Sequence, residues 1–358
     1  MRNMEAVRKI KKRAERHTWG IWVPEENEST EWGCRNTERE FGLEELRNQV
    51  HLVMDEVKKV IVGKDDCIEK VMAAILARGN VLLEDVPGVG KTEMAIAFSK
   101  AMGLKSNRVQ FTPDVMPADI TGFSMYQKET ESFVYRPGAV MCNLLLADEI
   151  NRTSPKTQSA LLEVMEEGSV TVDGVTRQVP RPFIVLATQN PVGSFGTQRL
   201  PEAQMDRFLI CISVGYPQPE DEIAMLKSRH RARPLEQMKA VIDGKVLLAM
   251  QEETEDIFIH DALYKYMTML SVATREHEML ELGMSPRGTL ALGKMARAYA
   301  YILGRNYCVP KDIRRALIDV GVHRVRLNQK ARITGRKAED ILEEALARVK
   351  EPKLGERV

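Results

Sequence analysis

Long apolar runs are absent from the sequence, although 44% of its 358 residues are hydrophobic. A helix that crosses a bilayer needs about 20 consecutive apolar residues, so we expect no membrane span. A basic cluster at residues 8–16 is not followed by an apolar stretch. A secretory signal needs such a stretch, so we expect none here.

Cysteine is scarce, and its spacing is irregular. The five cysteines form no Cys-x-x-Cys pair, and an odd, scattered set favours reduced thiols and a cytoplasmic protein. A strong charge of one sign is also missing, because 52 basic residues balance 51 acidic ones and leave a net charge of +1. No global field therefore favours nucleic acid or an anionic membrane. The length allows two domains with a small extension.

The most informative stretch is NVLLEDVPGVGKT at residues 80–92. A short apolar strand leads into a Gly/Pro loop that ends in Gly-Lys-Thr, where a helix begins, and this order is typical of a loop that wraps phosphate groups. Gly88 and Gly90 let successive backbone N–H groups point inward. Lys91 is predicted to reach the outer phosphates, and the Thr92 hydroxyl is predicted to ligate Mg²⁺.

One position departs from the generic phosphate-loop pattern, because Asp85 stands where a glycine is usual. The alternative is an ordinary strand–turn–helix connection with a chance Gly-Lys-Thr, but the strand–loop–helix context favours the phosphate loop. An Ile-Val-Gly turn upstream is a candidate lining for an adenine base, although such a tripeptide is more often a helix end. The predicted nucleotide-binding residues are Val62, Gly63, Pro87, Gly88, Val89, Gly90, Lys91, Thr92 and Glu93.

Two carboxylates follow a second apolar strand, in CNLLLADEIN at residues 142–151. Four successive apolar residues are typical of a buried parallel strand, and ligands of open α/β sheets bind at the carboxyl ends of the strands. Asp148 is therefore predicted to hold Mg²⁺, and Glu149 to polarise a water that attacks the γ-phosphate. The alternative is that the two acids simply begin a helix.

Three further polar residues are candidates for the same chemistry. Asn190 ends a third apolar strand and is predicted to hold the attacking water, the alternative being a turn-forming Asn-Pro. Arg207 lies at the rim of the α/β part, where it either is solvated or projects into the nucleotide of a neighbouring subunit. Arg287 follows Ser285-Pro286 in the first turn of a helix, where it opposes the helix dipole. That position suggests that an anion lies opposite it.

The chain divides into three parts by composition and periodicity. Residues 1–42 are interpreted as a flexible extension, the alternative being a docking arm for a partner. Residues 43–217 are predicted to form an α/β core with an insertion at 113–138 and an Asp-Gly hairpin at 169–180. Residues 218–358 read as an almost entirely helical domain with a C-terminal tail, in which helices are predicted at 220–230, 235–252, 261–275, 286–303, 310–325 and 338–348.

Together these stretches resemble the MoxR family of AAA+ ATPases over residues 43–352. The most specific segments are LLADEINRTSPKTQSALLEVMEEG, ATQNP and LPEAQMDRF, at residues 145–168, 187–191 and 200–208. The resemblance implies an AAA+ phosphate-loop core with a mostly parallel five-stranded sheet flanked by helices, and then an all-helical lid. It also implies an insertion in the second core helix and a hairpin before the sensor-1 strand.

The resemblance assigns roles to individual residues. Asp148 and Glu149 correspond to the metal-binding and water-activating carboxylates, and Asn190 is similar to sensor 1. Arg207 resembles a trans-acting arginine finger, and Arg287 resembles sensor 2. ATP and Mg²⁺ are the implied cofactors, with Mg²⁺-dependent hydrolysis of ATP to ADP and phosphate. The implied assembly is a hexameric ring that remodels a protein client in a chaperone-like manner, often with a partner that carries a von Willebrand factor A domain.

Other function classes remain open at this point. A nucleic-acid motor or loader, or a magnesium-chelatase-like subunit, could be built on the same core. Residues 169–179 carry one base, Arg177, and the insertion carries only Lys128 and Arg136, whereas a DNA-gripping loop needs several cations. A small-molecule kinase would have no use for Arg207, Asn190 and a helical lid together. A ring that serves as a nucleotide-switched scaffold would bind ATP with negligible turnover.

Overall fold

In the computed structural model of the protein, residues 41–358 form one compact unit. It describes residues 43–84, 90–129, 131–189, 200–229 and 234–353. The predictions made for residues 1–42 lie outside this described part. None of the described helices has the length and apolar content that crossing a bilayer requires.

Helices and strands alternate in the first part of the chain. In order, its elements are α1 (Leu43–Lys58), α2 (Asp65–Leu76), β1 (Val81–Glu84), α3 (Lys91–Ala101), β2 (Ser106–Gln110), α4 (Pro117–Thr121), β3 (Gly122–Gln127), β4 (Ser132–Pro137), β5 (Leu144–Asp148), α5 (Pro155–Glu167), β6 (Ser169–Val172), β7 (Val175–Gln178), β8 (Ile184–Gln189), α6 (Glu202–Met205) and β9 (Ile210–Ile212). A 3₁₀ turn, Ile150–Arg152, lies between β5 and α5.

The central sheet has five parallel strands in the order β2-β5-β8-β1-β9. Strands β5 and β8 are buried along their whole length, as expected for parallel strands with both faces covered. The predicted five-stranded α/β fold is confirmed. Because all five strands run the same way, one edge of the sheet collects their carboxyl ends and the opposite edge collects their amino ends.

Two antiparallel hairpins lie outside the central sheet. Strands β3 and β4 pair with each other after the short helix α4. Strands β6 and β7 pair across Asp173 and Gly174, whose φ angles are 53° and 74°. A two-residue turn with both φ angles positive matches the twist of the flanking strands, and Asp-Gly adopts it readily.

The second part of the chain, which we call the helical part, contains two very short strands. Its elements are α7 (Pro219–Arg229), α8 (Pro234–Gln237), α9 (Gly244–Glu255), α10 (Asp261–Arg275), β10 (Leu280–Leu282), α11 (Pro286–Ile302), α12 (Pro310–Gly321), β11 (Arg326–Leu327), α13 (Gln329–Ile333) and α14 (Ala338–Arg348). The pairing of β10 with β11 was not predicted, because two or three residues are too few to show a period.

The single helix predicted at residues 235–252 is wrong, because the chain forms α8 and α9 there. Asp243 begins the second helix, since its Oδ1 accepts hydrogen bonds from the backbone N–H groups of Lys245 and Val246 at 2.9 and 3.0 Å. The intervening segment is held by α3, because the Val241 N–H donates to the carbonyl of Ala101 at 2.8 Å. Apolar periodicity alone did not reveal this break.

The hydrophobic core covers both faces of the sheet. Val81 and Leu83 of β1 point into a cluster that continues through α1 to α3 and into α9 to α12. Leu82 points to the other face, where α5 and the residues before and after α4 pack. One face of the sheet therefore shares its core with the helical part, and the buried Gln251 amide donates to the Ile75 carbonyl at 2.7 Å across that contact.

Replacing Asp243 with Ala removes the side-chain acceptor at the start of α9. We expect the free energy of unfolding to fall by about 1 kcal/mol, as for other N-cap substitutions, measured by urea denaturation. Asp256→Ala is the matched control, because Asp256 lies at the other end of α9 and caps no N–H group there. Equal losses for the two variants would contradict the capping role of Asp243.

Candidate active site

A cavity of about 480 Å³ lies where α3 begins. Val60, Ile61 and Val62 line one side of it, and Gly90, Lys91, Thr92 and Glu93 line another. The predicted base-lining turn and the predicted phosphate-binding residues are thus neighbours. Tyr216, which the sequence did not single out, lines the same cavity. The volume falls within the usual range for small-molecule sites.

Gly63 follows this turn and is not among the lining residues. Its φ angle is +72°, and a Cβ atom there would collide with the carboxylate of Asp221, which lies on α7. The backbone conformation therefore favours glycine, and a larger residue would have to displace the Asp221 side chain. Gly63 shapes the cavity wall indirectly, through the packing of these two segments.

The start of α3 places a buried lysine at the carboxyl edge of the sheet. Gly90 adopts a left-handed conformation with φ 91°, and Lys91 is only 8% exposed. The Lys91 ammonium donates to the carbonyl of Gln189, at the end of β8, at 3.5 Å. The predicted site residues Pro87, Gly88, Val89 and Asn190 lie outside the described residues.

Asp148, the last residue of β5, is 5% exposed and meets two hydroxyl groups. Thr92 donates to its Oδ2 at 3.4 Å, and Thr188 donates to its Oδ1 at 3.3 Å. Hydroxyl and carboxylate oxygens are hard ligands of the kind Mg²⁺ takes beside substrate phosphates. No cluster of three or more His, Cys, Asp or Glu that would cage a metal occurs within the described part of the chain. Thr92 and Asp148 therefore fit Mg²⁺ of that kind.

Arg108 is a residue of this site that the sequence did not reveal. Its Nε and Nη2 atoms each lie 2.7 Å from Asp148 Oδ2, so the guanidinium compensates the buried charge. Strand β2 is the sheet neighbour of β5, and this brings Arg108 to Asp148. The signal was hidden because strand order cannot be read from the two segments alone.

Glu149 has an unusual backbone conformation, with φ 56° and ψ 45°. A non-glycine residue in the left-handed region is uncommon and costs roughly 1–2 kcal/mol. The Glu149 N–H donates to the Thr188 hydroxyl at 2.9 Å, which helps to hold this conformation. The Glu149 carboxylate accepts a hydrogen bond from Arg152 at 2.6 Å. Thr188 therefore positions both carboxylate residues, a role that the sequence did not suggest.

Arg207 and Arg287 lie together, away from Lys91. Both contact Glu166 of α5: Arg207 Nε is 3.5 Å from Oε2, and Arg287 Nη2 donates to Oε1 at 2.5 Å. They line a second cavity of about 750 Å³, which shares no lining residue with the first. Asn80, which also lines it, directly precedes β1.

The second cavity therefore lies at the amino edge of the sheet. Arg207 precedes β9, and the adjoining Leu209 N–H donates to the Asn80 carbonyl at 2.8 Å. Helix α5 begins after the carboxyl end of β5, and roughly 1.5 Å per residue carries Glu166 about 17 Å from that start. The structure brings Lys91, Thr92, Asp148 and Glu149 to one edge and Arg207 and Arg287 to the other.

Arg324 of the helical part fixes the segment that carries Arg207. Its side chain is 2% exposed, and its Nε donates to Asp206 Oδ1 at 2.7 Å. Its remaining nitrogens donate to four backbone carbonyls, those of Asp206, Phe208, Leu209 and Val320. Burial lowers the pKa of Arg324, and the adjacent Asp206 carboxylate opposes that effect. This network was not predicted from the sequence.

Two neighbouring groups are kept neutral by burial. Burial and the charge of Arg324 hold the pKa of His323 well below its usual range, and His323 Nε2 lies 2.8 Å from Arg324 Nη1. Burial raises the pKa of the Cys211 thiol, and the nearby Glu84 carboxylate raises it further. Cys211 is therefore a protonated, unreactive thiol at neutral pH.

Replacing Arg324 with Lys keeps the charge but loses the fork that serves several acceptors. We expect the free energy of unfolding to fall by about 3 kcal/mol, because buried carbonyls lose their donors at a cost of about 1–3 kcal/mol each, measured by chemical denaturation. Arg326→Lys is the control, since Arg326 forms only exposed ion pairs with Glu202 and Glu281 and should change little. Equal losses of unfolding free energy in the two variants would show that the buried network of Arg324 does not stabilise the fold.

Comparison with known proteins identifies the family to which the chain belongs. The model for the ATPase family associated with various cellular activities (AAA) matches residues 80–210, and the model for the AAA lid domain matches residues 272–345. An uncharacterised Bacillus subtilis protein, YeaC, is 47% identical over 309 residues, 86% of this chain and 97% of that protein.

Two further relatives agree with this assignment. Chaperone MoxR1 of Mycobacterium tuberculosis is 42% identical over 302 residues, which are 81% of this chain and 80% of that protein. A crystal structure of a protein assigned as an ATPase from Cytophaga hutchinsonii is 36% identical, with a TM-score of 0.80 over 87% of this chain and 97% of that chain. The chain belongs to the MoxR family of AAA+ ATPases.

Proposed function

We propose that the chain hydrolyses ATP at interfaces between its own copies, each interface joining the Lys91 edge of one copy to the Arg207 edge of the next. The observation that carries this proposal is that these two sets of residues lie at opposite edges of one parallel sheet. A single copy therefore does not bring its own arginines to its own phosphate-binding residues, whereas a neighbour supplies them.

The nucleotide is proposed to lie in the 480 Å³ cavity. The base packs against the Val60, Ile61 and Val62 turn and the Tyr216 ring, and the triphosphate faces Lys91 and the N-terminus of α3, which attracts anions. Thr92 and Asp148 would hold Mg²⁺, which neutralises charge on the phosphates when bound. Pro87, Gly88 and Val89, together with Gly90 and Glu93, complete the proposed phosphate loop.

Glu149 is proposed as the group that activates water. The hydrogen bond that the Glu149 N–H donates to the Thr188 hydroxyl holds its backbone, and the carboxylate accepts a hydrogen bond from Arg152 at 2.6 Å. The water oxygen forms a bond to the γ-phosphorus, the bond to the ADP oxygen breaks, and Glu149 takes the proton. Asn190, at the end of β8, is proposed to orient that water.

Arg207 and Arg287 are proposed to act on the triphosphate of the neighbouring copy. Guanidinium groups that neutralise charge in the transition state increase rates by roughly 10³–10⁵ in other phosphoryl-transfer proteins. An interface between two different edges is head-to-tail, and such interfaces close into rings when the rotation allows. We propose a hexamer, as is common among AAA+ ATPases.

The work done by hydrolysis is proposed to be chaperone-like remodelling of a protein client, in some cases with a von Willebrand factor A domain partner. Support comes from the relative named as a chaperone and from the β3–β4 hairpin, where Phe123 is 48% and Phe133 75% exposed. Exposed aromatic side chains are typical of surfaces that bind other proteins. A nucleic-acid motor, the second candidate, needs cations at such a position.

Co-expression of two inactive variants tests the interface. Lys91→Ala damages the phosphate edge and Arg207→Ala the arginine edge, so each alone should lose ATPase activity. In a random one-to-one mixture, about a quarter of head-to-tail interfaces join an intact Lys91 edge to an intact Arg207 edge. We therefore expect about a quarter of wild-type turnover to return, measured as phosphate release.

The matched control pairs Lys91→Ala with Glu149→Gln, whose defects lie on the same edge. No interface in that mixture has an intact phosphate edge, so activity should stay absent. If the Lys91→Ala and Arg207→Ala mixture also stays inactive while mixed assemblies form, the proposed trans role of Arg207 is wrong.

Replacing Glu149 with Gln should separate binding from chemistry. Loss of the proton acceptor is expected to lower turnover by at least about 100-fold while ATP still binds, because Lys91 and the α3 N-terminus are unchanged. Turnover is measured as phosphate release and binding by equilibrium titration. Glu163→Gln on the exposed face of α5 should behave as wild type; a fully active Glu149→Gln chain would remove Glu149 from the mechanism.

A further inference from the structure

We propose that Glu166 is a positioning residue that brackets Arg207 and Arg287 and presents the two guanidinium groups as one unit to the phosphates of the neighbouring copy. This inference rests on the proposed function, in which both arginines act at the interface. It assigns a role to a residue that the proposed ATP hydrolysis at the carboxyl edge of the sheet does not involve. Glu166 touches neither nucleotide nor water in this scheme and acts through the two arginines.

The geometry divides the carboxylate between the two arginines. Oε2 faces Arg207 Nε at 3.5 Å, and Oε1 accepts from Arg287 Nη2 at 2.5 Å. Each contact uses one nitrogen of a group that carries five N–H donors. Both guanidinium groups therefore retain donors for phosphate oxygens while Glu166 holds them, so the carboxylate orients them without competing for the whole group.

Helix dipoles do not explain why either charge is present. Glu166 lies in the last turn of α5, where an anion is disfavoured, and Arg287 lies in the first turn of α11, where a cation is disfavoured. Each charge is unfavourable on its own helix and favourable only opposite the other. This pairing indicates that the two positions serve the contact between them.

The cations around Arg207 and Arg287 favour a carboxylate between these two side chains. Six cations line the 750 Å³ cavity, in addition to two carboxylates. One of these, Asp206, accepts hydrogen bonds from Arg324 and Ser285. Glu166 is the carboxylate that faces Arg207 and Arg287. Without its charge the two guanidinium groups repel each other and separate, and alignment must then be achieved at the moment of hydrolysis.

The bracket also joins two parts of the chain. Glu166 and Arg207 belong to the α/β part, and Arg287 begins α11 of the helical part. Side-chain exposures of 41% for Glu166, 32% for Arg207 and 46% for Arg287 leave the group accessible to a neighbouring copy. A shift of α11 is thus transmitted through Glu166 to Arg207.

Steady-state ATPase assays on the full-length assembled chain test the bracket. Glu166→Gln keeps the shape of the side chain and removes its charge. We expect kcat to fall about tenfold, less than the roughly 100-fold that a misplacement of 1 Å can cost, with KM for MgATP, assembly by analytical ultracentrifugation and the thermal midpoint unchanged. Glu167→Gln, which removes a charge from the same exposed helix end, should match wild type.

A double substitution separates positioning from a merely structural effect. Once Arg287→Ala has removed one side of the bracket, adding Glu166→Gln should lower kcat by less than about twofold, since coupled residues are not additive. Wild-type kcat in Glu166→Gln, a multiplicative double variant, or a loss explained by reduced assembly or thermal stability would each overturn the inference.

The Arg207→Ala chain distinguishes the two possible failures. If Arg207→Ala retains wild-type turnover, the proposed interface itself is wrong. If Arg207→Ala is inactive and Glu166→Gln is fully active, the interface stands and the bracket alone is refuted.

Discussion

The uniform direction of the five strands is the constraint on which the rest of the molecule depends. It places the ends of β1, β5 and β8 at one edge, where Lys91, Asp148 and Glu149 meet, and the starts of β1 and β9 at the other. Helix α5 connects the two edges, because it begins beside the carboxylates and carries Glu166 in its last turn. Under the proposed function these edges are two half-sites, which copies stacked head to tail would bring together.

The helical part contacts the segment that carries Arg207. Arg324 donates to Asp206 and to the carbonyls around Arg207, while the Ser285 hydroxyl donates to Asp206 at 3.0 Å. Since Ser285 also caps α11, the helix start that carries Arg287 and the loop that carries Arg207 share one carboxylate. The two arginines are consequently related through buried contacts as well as through Glu166.

Much of the fold and part of the candidate site could be predicted because their signals are local. An apolar run that ends in two acids predicted β5 with Asp148, and Gly-Lys-Thr predicted the start of α3. Arg108, Thr188 and Arg324 were missed because their roles depend on which strands and helices become neighbours. The break at Asp243 was missed because a side-chain cap overrides periodicity. The roles of Pro87, Gly88, Val89 and Asn190 stay predictions.

Arg108 has a consequence for how the chain exists between reaction cycles. An uncompensated carboxylate buried at the end of β5 would destabilise the fold, but the guanidinium 2.7 Å from Asp148 supplies an internal counter-ion. Neutralising the buried Asp148 carboxylate therefore does not depend on a divalent ion. The Mg²⁺ proposed to bind at Asp148 would therefore serve the reaction, whereas Arg108 already supports the integrity of the chain.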